Sequence, residues 1–432
     1  METEQLSGFQ ECDFNQSFFA KVVTNICENA KYLGHNEVVF SSEEGGLSAI
    51  GSRSNDNKTR VTGFRIIDLR YIQPDDNKET TTRVVFKVKV KGSDTAKMIA
   101  SLMNSLGYVD VIKAYQEKPF DTQIQSELKE IAFFDAEHPA IWRAIRPKTF
   151  MTISDVPNDI SMVAMEDLRS GSFTHLDTVM DPSSWQRDDV MDAFQGIATF
   201  HALYYGNTGN IPENIKNLID ATNVTNPYND VRARAFFRCL VEKLLENDVD
   251  LLGKKAARVL QMSIDNMDEV CGILSGSLTT LIHGDFNVRN VCLRKDAKPN
   301  EHRLCVYDWE DLRIMCPQHD AAFFIAHILT TAENDDVIEK WSDYFEMYRC
   351  CLLDELIKIG ATEEVMETVR NKEQFKRVFD MCVVEMLWNR VGGMIIASKV
   401  HPLPFIPKLV KSVCRYLEYL SSVYGFLETK LL

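Results

Sequence analysis

The sequence lacks several features that define large classes of proteins. Its 432 residues contain no C-x-x-C pair and no apolar run approaching the ~18–20 residues that a membrane-spanning helix requires. The eleven cysteines are scattered, several inside apolar runs, and the adjacent Cys350 and Cys351 suit neither an ordinary disulfide nor a zinc site. We therefore expect reduced core cysteines in a soluble protein with no membrane partner.

Signals for export and an excess of basic charge are missing as well. The first five residues are acidic and polar, without the basic and apolar regions of a signal peptide, which predicts a cytoplasmic protein. Lys and Arg total 48 against 63 Asp and Glu, so the formal net charge is −15. An acidic chain of this kind is poorly suited to bind nucleic acid or anionic membranes, but it would tolerate a neutral or cationic small substrate.

The most informative segment has the pattern H-G-D-x-x-x-x-N, from His283 to Asn290, and Asp308 ends an apolar run farther along. Phosphoryl transfer uses such a set of groups. One carboxylate orients the attacking hydroxyl and accepts its proton, while a carboxamide and a second carboxylate hold Mg²⁺. The spacing from Asp285 to Asn290 equals that in the protein-kinase catalytic loop. A Gly-Asp pair alone is most often a turn, so the interpretation depends on the flanking segments.

The flanking segments predict a β-hairpin. Two strand-like runs, 291–293 and 304–307, are separated by a polar turn. A hairpin returns the chain to the side on which it started. It would therefore bring Asp285 and Asn290, which precede it, close to Asp308, which follows it.

These segments resemble the aminoglycoside phosphotransferase and choline kinase superfamily, whose H-G-D-x-x-x-x-N loop is followed by an Asp in an I-D-[FW]-[EQ]-like context. The E-D-L step from Glu166 and the D-W-E step from Asp308 are closest to the ecdysteroid-kinase-like branch. The resemblance implies an α+β, bilobal, protein-kinase-like fold. It implies a small β-rich nucleotide-binding lobe over 1–165 and a large, mainly helical catalytic and substrate-binding lobe over 166–432.

The resemblance also implies roles for single residues. It makes Asp285 the catalytic base, and Asn290 and Asp308 the Mg²⁺ ligands, with ATP as the phosphoryl donor. Glu310, two positions after the metal-binding Asp, is expected to support the metal site from outside the ligand shell. Asp320, in a stretch similar to P-x-x-D-[LA]-A, is implied to cap a helix and brace the catalytic loop.

A lysine for the nucleotide phosphates is expected on a strand of the first lobe. Runs rich in β-branched residues over 62–72 and 82–90 predict two strands joined by a hairpin loop over 73–79. Lys87 and Lys89 share the face of the second strand opposite its apolar side chains. V-V-F-K resembles V-A-I-K, which favours Lys87. Lys89 is the alternative candidate. The non-functional interpretation is that both lysines lie on a solvated face of the strand.

The lysine needs a carboxylate partner on a helix. Residues 126–134 look like the family's E-x-x-[FY]-[FY] helix, and this match selects Glu130. Glu127, one turn earlier, could substitute. A further helix predicted over 93–106 separates this segment from Lys87, which is a departure from the family pattern.

Two more nucleotide contacts are expected from position along the chain. Gly51 and Ser52 begin a small-residue segment ahead of the first strong strand, where a phosphate-covering loop should lie. No G-x-G-x-x-G pattern is present there, and a plain Ser/Asn/Gly connector explains the same residues. Glu166 and Asp167 resemble the linker between the lobes, whose backbone could recognise adenine, although an ordinary strand edge has the same pattern.

The chain after residue 184 has the apolar spacing of helices. The predicted helices span 184–205, 231–246, 256–274, 320–331, 337–360, 373–396 and 406–427. His201, in an I-A-T-F-H-A stretch, is expected to be a packed, hydrogen-bonded residue. Aromatic residues at helical spacing are more often core than the cation–π enclosure of choline kinases, and those of the later helices are Trp341, Tyr344, Phe345, Tyr348 and Trp388.

Together these features predict an ATP- and Mg²⁺-dependent phosphotransferase acting on a hydroxyl group of a small organic molecule. A choline- or ethanolamine-type kinase is the alternative. A protein kinase is disfavoured because no D-F-G or A-P-E segment follows Asp308, and a catalytically silent nucleotide-binding protein because all three polar groups are intact. The sequence indicates neither the acceptor, which depends on pocket shape, nor the oligomeric state.

Overall fold

The structure is a computed structural model, and it describes most of the chain. The described residues are 13–38, 63–89, 101, 126–135, 140–155, 160–176, 185–221, 227–297, 301–330, 336–399 and 404–424. Gly51 and Ser52 lie outside the described residues, as does the helix predicted over 93–106 except for residue 101.

The first lobe contains an antiparallel five-stranded sheet. Its strands are β1 (Lys31–Glu37), β2 (Gly63–Ile72), β3 (Glu79–Val88), β4 (Thr149–Asp155) and β5 (Ile160–Glu166). They pair in the order β1-β2-β3-β5-β4. The strands predicted over 62–72 and 82–90 are confirmed as β2 and β3. However, β3 begins at Glu79, inside the predicted loop, because the ladder extends to the pair Ile72 and Glu79.

Three helices accompany this sheet, namely α1 (Gln16–Ile26), α2 (Ser126–Asp135) and α3 (Ala140–Ala144). The amphipathic α1 begins where the Asn15 side chain accepts the amide of Phe18, an ordinary N-cap. It buries Phe19, Val22 and Val23 against β2 and β3 in a small core of their own. This packing leaves the opposite side of β3, which carries Lys87, to face α2.

The second lobe is mainly helical, as predicted. Its helices are α4 (Arg187–Ala202), α5 (Glu213–Ala221), α6 (Val231–Asn247), α7 (Val249–Leu252), α8 (Lys254–Asp265), α9 (Met267–Ser275), α10 (Gln318–Ile328), α11 (Val337–Lys358), α12 (Glu363–Arg370), α13 (Lys372–Trp388), α14 (Arg390–Ser398) and α15 (Ile406–Tyr424). Two of the predicted helices are each divided. The helix predicted over 256–274 is interrupted at Asn266, and the one predicted over 373–396 at Asn389.

Short strands carry the polar segments of the second lobe. They are β6 (Phe173–Thr174), β7 (Thr280–Ile282), β8 (Val291–Arg294), β9 (Leu304–Val306) and β10 (Arg313–Met315). β8 and β9 form the predicted hairpin, in which Val291 faces Val306. β7 pairs with β10, so the segments on either side of the catalytic motif are joined.

The described residues form two main apolar cores, which confirms the predicted α+β bilobal, kinase-like architecture. The larger core extends beyond the helical lobe, because Phe133 of α2 and Trp142 of α3 pack in it. The predicted boundary between 165 and 166 falls near the end of β5. Among the described helices, none combines the length and apolarity needed to cross a membrane.

A buried histidine in α10 predicts a pH-dependent stability. His327 is 2% exposed, Nδ1 lies 2.8 Å from the oxygen of Phe323, and burial lowers its pKa from 6.5 to about 3. The unfolded chain takes up a proton near pH 6.5 that the folded chain does not bind. We therefore expect His327 to lower the free energy of unfolding by about 2 kcal/mol between pH 7 and pH 5.

Urea unfolding of the wild type and of His327→Asn at both pH values measures this contribution. The variant should lose less stability than the wild type on acidification, whereas His175→Asn, at an exposed position, should behave like the wild type. Equal pH dependence in all three proteins would contradict the prediction.

Candidate active site

The H-G-D loop is braced by one buried carboxylate. Asp320 of α10 accepts the backbone amides of His283 at 2.8 Å and Gly284 at 2.9 Å. His201 Nε2 lies 3.1 Å from the same carboxylate, and its Nδ1 lies 2.7 Å from the hydroxyl of Tyr348. Burial raises the pKa of Asp320, but the hydrogen bond and charge of His201 outweigh it, so the net pKa is below its ordinary value. The bracing by Asp320 and the packed role of His201 are both as predicted, although Asp320 bonds to the loop and not to the end of its own helix.

The loop needs glycine at its second position. Gly284 has φ +80°, and a Cβ there would collide with the backbone oxygen of Asp311. The close approach places the H-G-D turn against the segment that follows Asp308. Asp285 follows at the tip of the loop, with its side chain 21% exposed.

The hairpin brings the three predicted polar groups to one end of β8 and β9. The Tyr307 amide donates to the oxygen of Asn290 at 3.0 Å, so Asp308 follows directly beside Asn290. The Asn290 side-chain nitrogen donates to Asp285 Oδ2 at 2.8 Å and to the backbone oxygen of Asp285 at 2.9 Å. The proximity inferred from the hairpin is therefore observed.

Lys87 forms the predicted pair with Glu130. The Lys87 ammonium lies 3.1 Å from Glu130 Oε1 and is also paired with Asp308. The second oxygen of Glu130 lies 2.6 Å from Lys89, which in turn pairs with Glu310. Both lysines predicted as alternatives thus reach the same carboxylate. The side chain of Glu127 lies outside the described residues.

The charged groups in this cluster stabilise one another's ionised forms. Glu130 is fully buried, and burial alone would raise its pKa, but Lys87 and Lys89 outweigh burial and lower it. Burial would lower the pKa of Lys87, yet Asp308 and Glu130 hold it well above its ordinary value. Each group is therefore kept ionised by its partners.

The backbone at Asp308 is strained. Its φ is +66°, in the left-handed region that non-glycine residues seldom adopt. The next residue, Trp309, is fully buried, stacks on Phe133 at a centroid distance of 4.0 Å, and donates its amide to Glu130 Oε1 at 3.2 Å. These contacts hold the turn and aim the Asp308 carboxylate at Lys87.

Oxygen donors for a divalent cation are close together at this turn. Carboxylate oxygens of Glu130, Asp308 and Glu310 lie within 4.8 Å of one another. Mg²⁺ prefers such oxygen ligands and is bound through one or two carboxylates beside nucleotide phosphates. The residues present therefore fit a Mg²⁺ site that includes Asp308, with Asn290 beside it.

Arg390, the first residue of α14, was not among the predicted site residues. Its guanidinium donates to Asp285 Oδ1 at 2.6 Å and is paired through its other nitrogen with Asp311. Burial raises the pKa of Asp285; Arg390 opposes the shift and the Asp311 charge adds to it, leaving the net pKa above its ordinary value. Arg390 sits after the break at Asn389, where helical periodicity contains no signal for a polar contact.

The segment predicted to bind adenine is engaged locally. Glu166 Oε1 accepts the amide of Lys148 at 2.7 Å, and the Glu166 amide donates to the Lys148 oxygen at 2.9 Å. The Asp167 carboxylate accepts the Arg169 guanidinium at 2.8 Å. Adenine recognition by this segment stays a prediction. It would depend on backbone N–H and C=O groups that these contacts do not use.

The aromatic residues of the later helices belong to the core, which the spacing favoured. Trp341, Phe345, Tyr348 and Trp388 are at most 1% exposed, and Tyr344 packs half-buried against the same core. A small cavity lies instead beside Arg390. Its walls are formed by Ile282, Gly284, Arg313, Met315, His319, Phe323, Glu385, Met386, Asn389 and Arg390.

Comparison with known proteins identifies the family. Residues 67–361 match the ecdysteroid kinase-like family. The chain belongs to this family. The sequence-based prediction of a small-molecule kinase is thereby confirmed at the level of enzyme class. No curated protein matches the chain.

Several solved structures are similar at low sequence identity. A choline kinase from Cryptosporidium parvum Iowa II is 10% identical, with 94% of this chain and 96% of that chain covered and a TM-score of 0.47. Choline kinase LicA from Streptococcus pneumoniae is 12% identical, with 94% and 98% covered and a TM-score of 0.37. An aminoglycoside phosphotransferase from Alicyclobacillus acidocaldarius is 12% identical, with 84% and 90% covered and a TM-score of 0.35.

The glycine of the H-G-D turn provides a test of the loop geometry. Gly284→Ala should lower phosphotransferase activity at least tenfold, because the added methyl group must push the loop away from Asp311. Gly360→Ala is the matched control: its φ is +69° and nothing lies within 4 Å of the added Cβ. The control should lose about 1 kcal/mol of stability and keep its activity. Equal losses of activity in both variants would show that the positive φ, and not the close approach to Asp311, requires glycine at position 284.

Proposed function

We propose that the protein transfers the γ-phosphoryl group of ATP to a hydroxyl group of a small organic molecule, with Mg²⁺ as cofactor. The observation that carries the proposal is the convergence of Asp285, Asn290 and Asp308 at one end of the β8–β9 hairpin. The buried Lys87–Glu130 pair adjoins Asp308 and supplies a cation for the phosphates. These are the parts that phosphoryl transfer requires.

In the proposed reaction Asp285 accepts the proton of the attacking hydroxyl. The acceptor oxygen forms a bond to the γ-phosphorus, the bond from that phosphorus to the bridging oxygen breaks, and ADP leaves with the electron pair. Asn290 and Arg390 hold the Asp285 carboxylate from two sides. A base fixed in this way needs little reorganisation at the moment of reaction.

Asp308 and Asn290 are the proposed Mg²⁺ ligands, as the family resemblance implies. Bound there, Mg²⁺ neutralises charge that develops on the phosphates. Lys87 is held between Asp308 and Glu130, which places its ammonium next to the proposed metal position. Glu310, paired with Lys89, extends the same charge cluster.

The acceptor is proposed to be a hydroxylated small molecule. A quaternary-amine enclosure built from the aromatic residues of the later helices finds no support, since four of them are buried in the core. The cavity beside Arg390 has room for about one water molecule, so its lining does not define the acceptor.

The decisive experiment measures acceptor-dependent ADP release with Mg-ATP across a panel of hydroxylated metabolites. Asp285→Asn, which preserves shape but removes the basic oxygen, should reduce turnover by about 10²–10⁴-fold. ATP binding should be nearly unchanged in that variant. Asp296→Asn, on the exposed β8–β9 turn, is the matched control and should keep full activity. Full turnover by Asp285→Asn would refute the assignment, and Mg-ATP binding without turnover on any acceptor would favour a silent binder.

The lysine that contacts the phosphates can be identified by a paired substitution. Lys87→Met should raise the KM for ATP by about tenfold or more, because a charge-assisted contact of about 1.5–3 kcal/mol is lost. Lys89→Met should have the smaller effect, since Lys89 is paired with Glu310 and not with Asp308. Each variant leaves Glu130 with one lysine partner fewer. Thermal unfolding of both variants therefore separates a loss of stability from a loss of ATP binding. A larger increase in KM for Lys89→Met would assign the role to Lys89.

A further inference from the structure

Two cysteines and a histidine meet beneath the catalytic loop. Cys316 and His319 lie at the connection from β10 into α10, and Cys382 lies on α13. Their Sγ and ring nitrogen atoms are all within 4.8 Å of one another, and the two sulfurs are 3.5 Å apart. The cysteines are 66 positions apart in the sequence, so no local spacing predicts their meeting.

A carboxylate lies beside His319 but outside this group. Glu385 Oε2 is 3.6 Å from His319 Nε2, and its side chain is 3% exposed. The three donors therefore come from a C-x-x-H segment and from one side of α13. Thiolate and imidazole are donors that bind Zn²⁺ in proteins.

We propose that Cys316, His319 and Cys382 bind a zinc ion, with the fourth position of the tetrahedron open to water or another small ligand. Two sulfurs on a tetrahedral zinc lie about 3.8 Å apart, given Zn–S bonds of about 2.3 Å. The observed separation of 3.5 Å is close to this value and far from the ~2.05 Å of a disulfide. The site goes beyond the proposed phosphotransferase function and does not depend on it.

The surroundings suit a bound divalent cation. The hydroxyl of Tyr228 lies 2.5 Å from His319 Nε2 and orients the ring. Zinc binding would release the thiol protons of Cys316 and Cys382, so that two thiolates balance the charge of the ion.

The site would have a mechanical role. His319 lines the cavity beside Arg390. A zinc ion held by ligands from both segments would fasten α13 to the start of α10, where Asp320 braces the H-G-D loop. It would also fix the end of α13, after which Arg390 turns toward Asp285.

The test measures zinc in the purified full-length protein by elemental analysis, after incubation with excess Zn²⁺ and removal of unbound ion. We expect about one zinc per wild-type chain, as for a site with three protein ligands. Occupancy should fall at least fivefold in Cys316→Ser and in Cys382→Ser. Cys414→Ser, which removes a buried cysteine of α15 outside the cluster, should bind as the wild type does.

A second measurement avoids dependence on how the variants fold. Co²⁺ added to the wild-type protein should produce the thiolate-to-cobalt charge-transfer band of a cysteine-ligated site, and Zn²⁺ should abolish it. Binding of much less than one zinc per chain, together with no cobalt charge-transfer band, would overturn the proposal. So would a chain mass lower by two hydrogen atoms with Cys316 linked to Cys382, which would show a disulfide.

Discussion

The carboxylate of Glu130 lies at the centre of the charge cluster beside Asp308. It is fully buried, and an isolated charge in such a place would be strongly unfavourable. Lys87 from β3, Lys89 just after that strand and the amide of Trp309 each contact it. Two chain segments thus share one buried charge on α2. Displacing both lysines would leave the charge unpaired at a cost of about 3–5 kcal/mol, so β3 is held in place against the turn at Asp308.

The catalytic side depends on a similar arrangement around Asp320. Two backbone amides of the H-G-D loop, together with His201, satisfy its oxygens, and His201 is held in turn by Tyr348 of α11. The helical core therefore fixes the loop together with the loop's own bonds from Asn290 to Asp285.

Local pattern was sufficient for much of this structure. The H-G-D-x-x-x-x-N segment and the two strand-like runs after it predicted the hairpin, because pairing between neighbouring runs is a short-range property. The pairing of Lys87 with Glu130 came from the family resemblance and is observed. The equal engagement of Lys89 could not be inferred, because two lysines on one face of a strand have the same pattern whether they point to solvent or to a buried carboxylate.

Other features depend on contacts between distant segments. The division of the helix predicted over 373–396 follows from the backbone at Asn389, with φ −128° and ψ −88°, which apolar periodicity does not record. The change of direction there is what turns Arg390 toward the catalytic loop. The meeting of Cys316 with Cys382 is equally a product of helix packing. Such long-range contacts are set by how the core packs, so a single sequence contains no local sign of them.

Arg390 holds Asp285, the proposed catalytic base, in a fixed position. One arm of its guanidinium bonds to Asp285 and the other to Asp311, so the buried cation is shared between two carboxylates. Each carboxylate oxygen has two lone pairs, and Arg390 and Asn290 take one on each oxygen of Asp285. An acceptor hydroxyl can therefore bind Asp285 while both contacts persist.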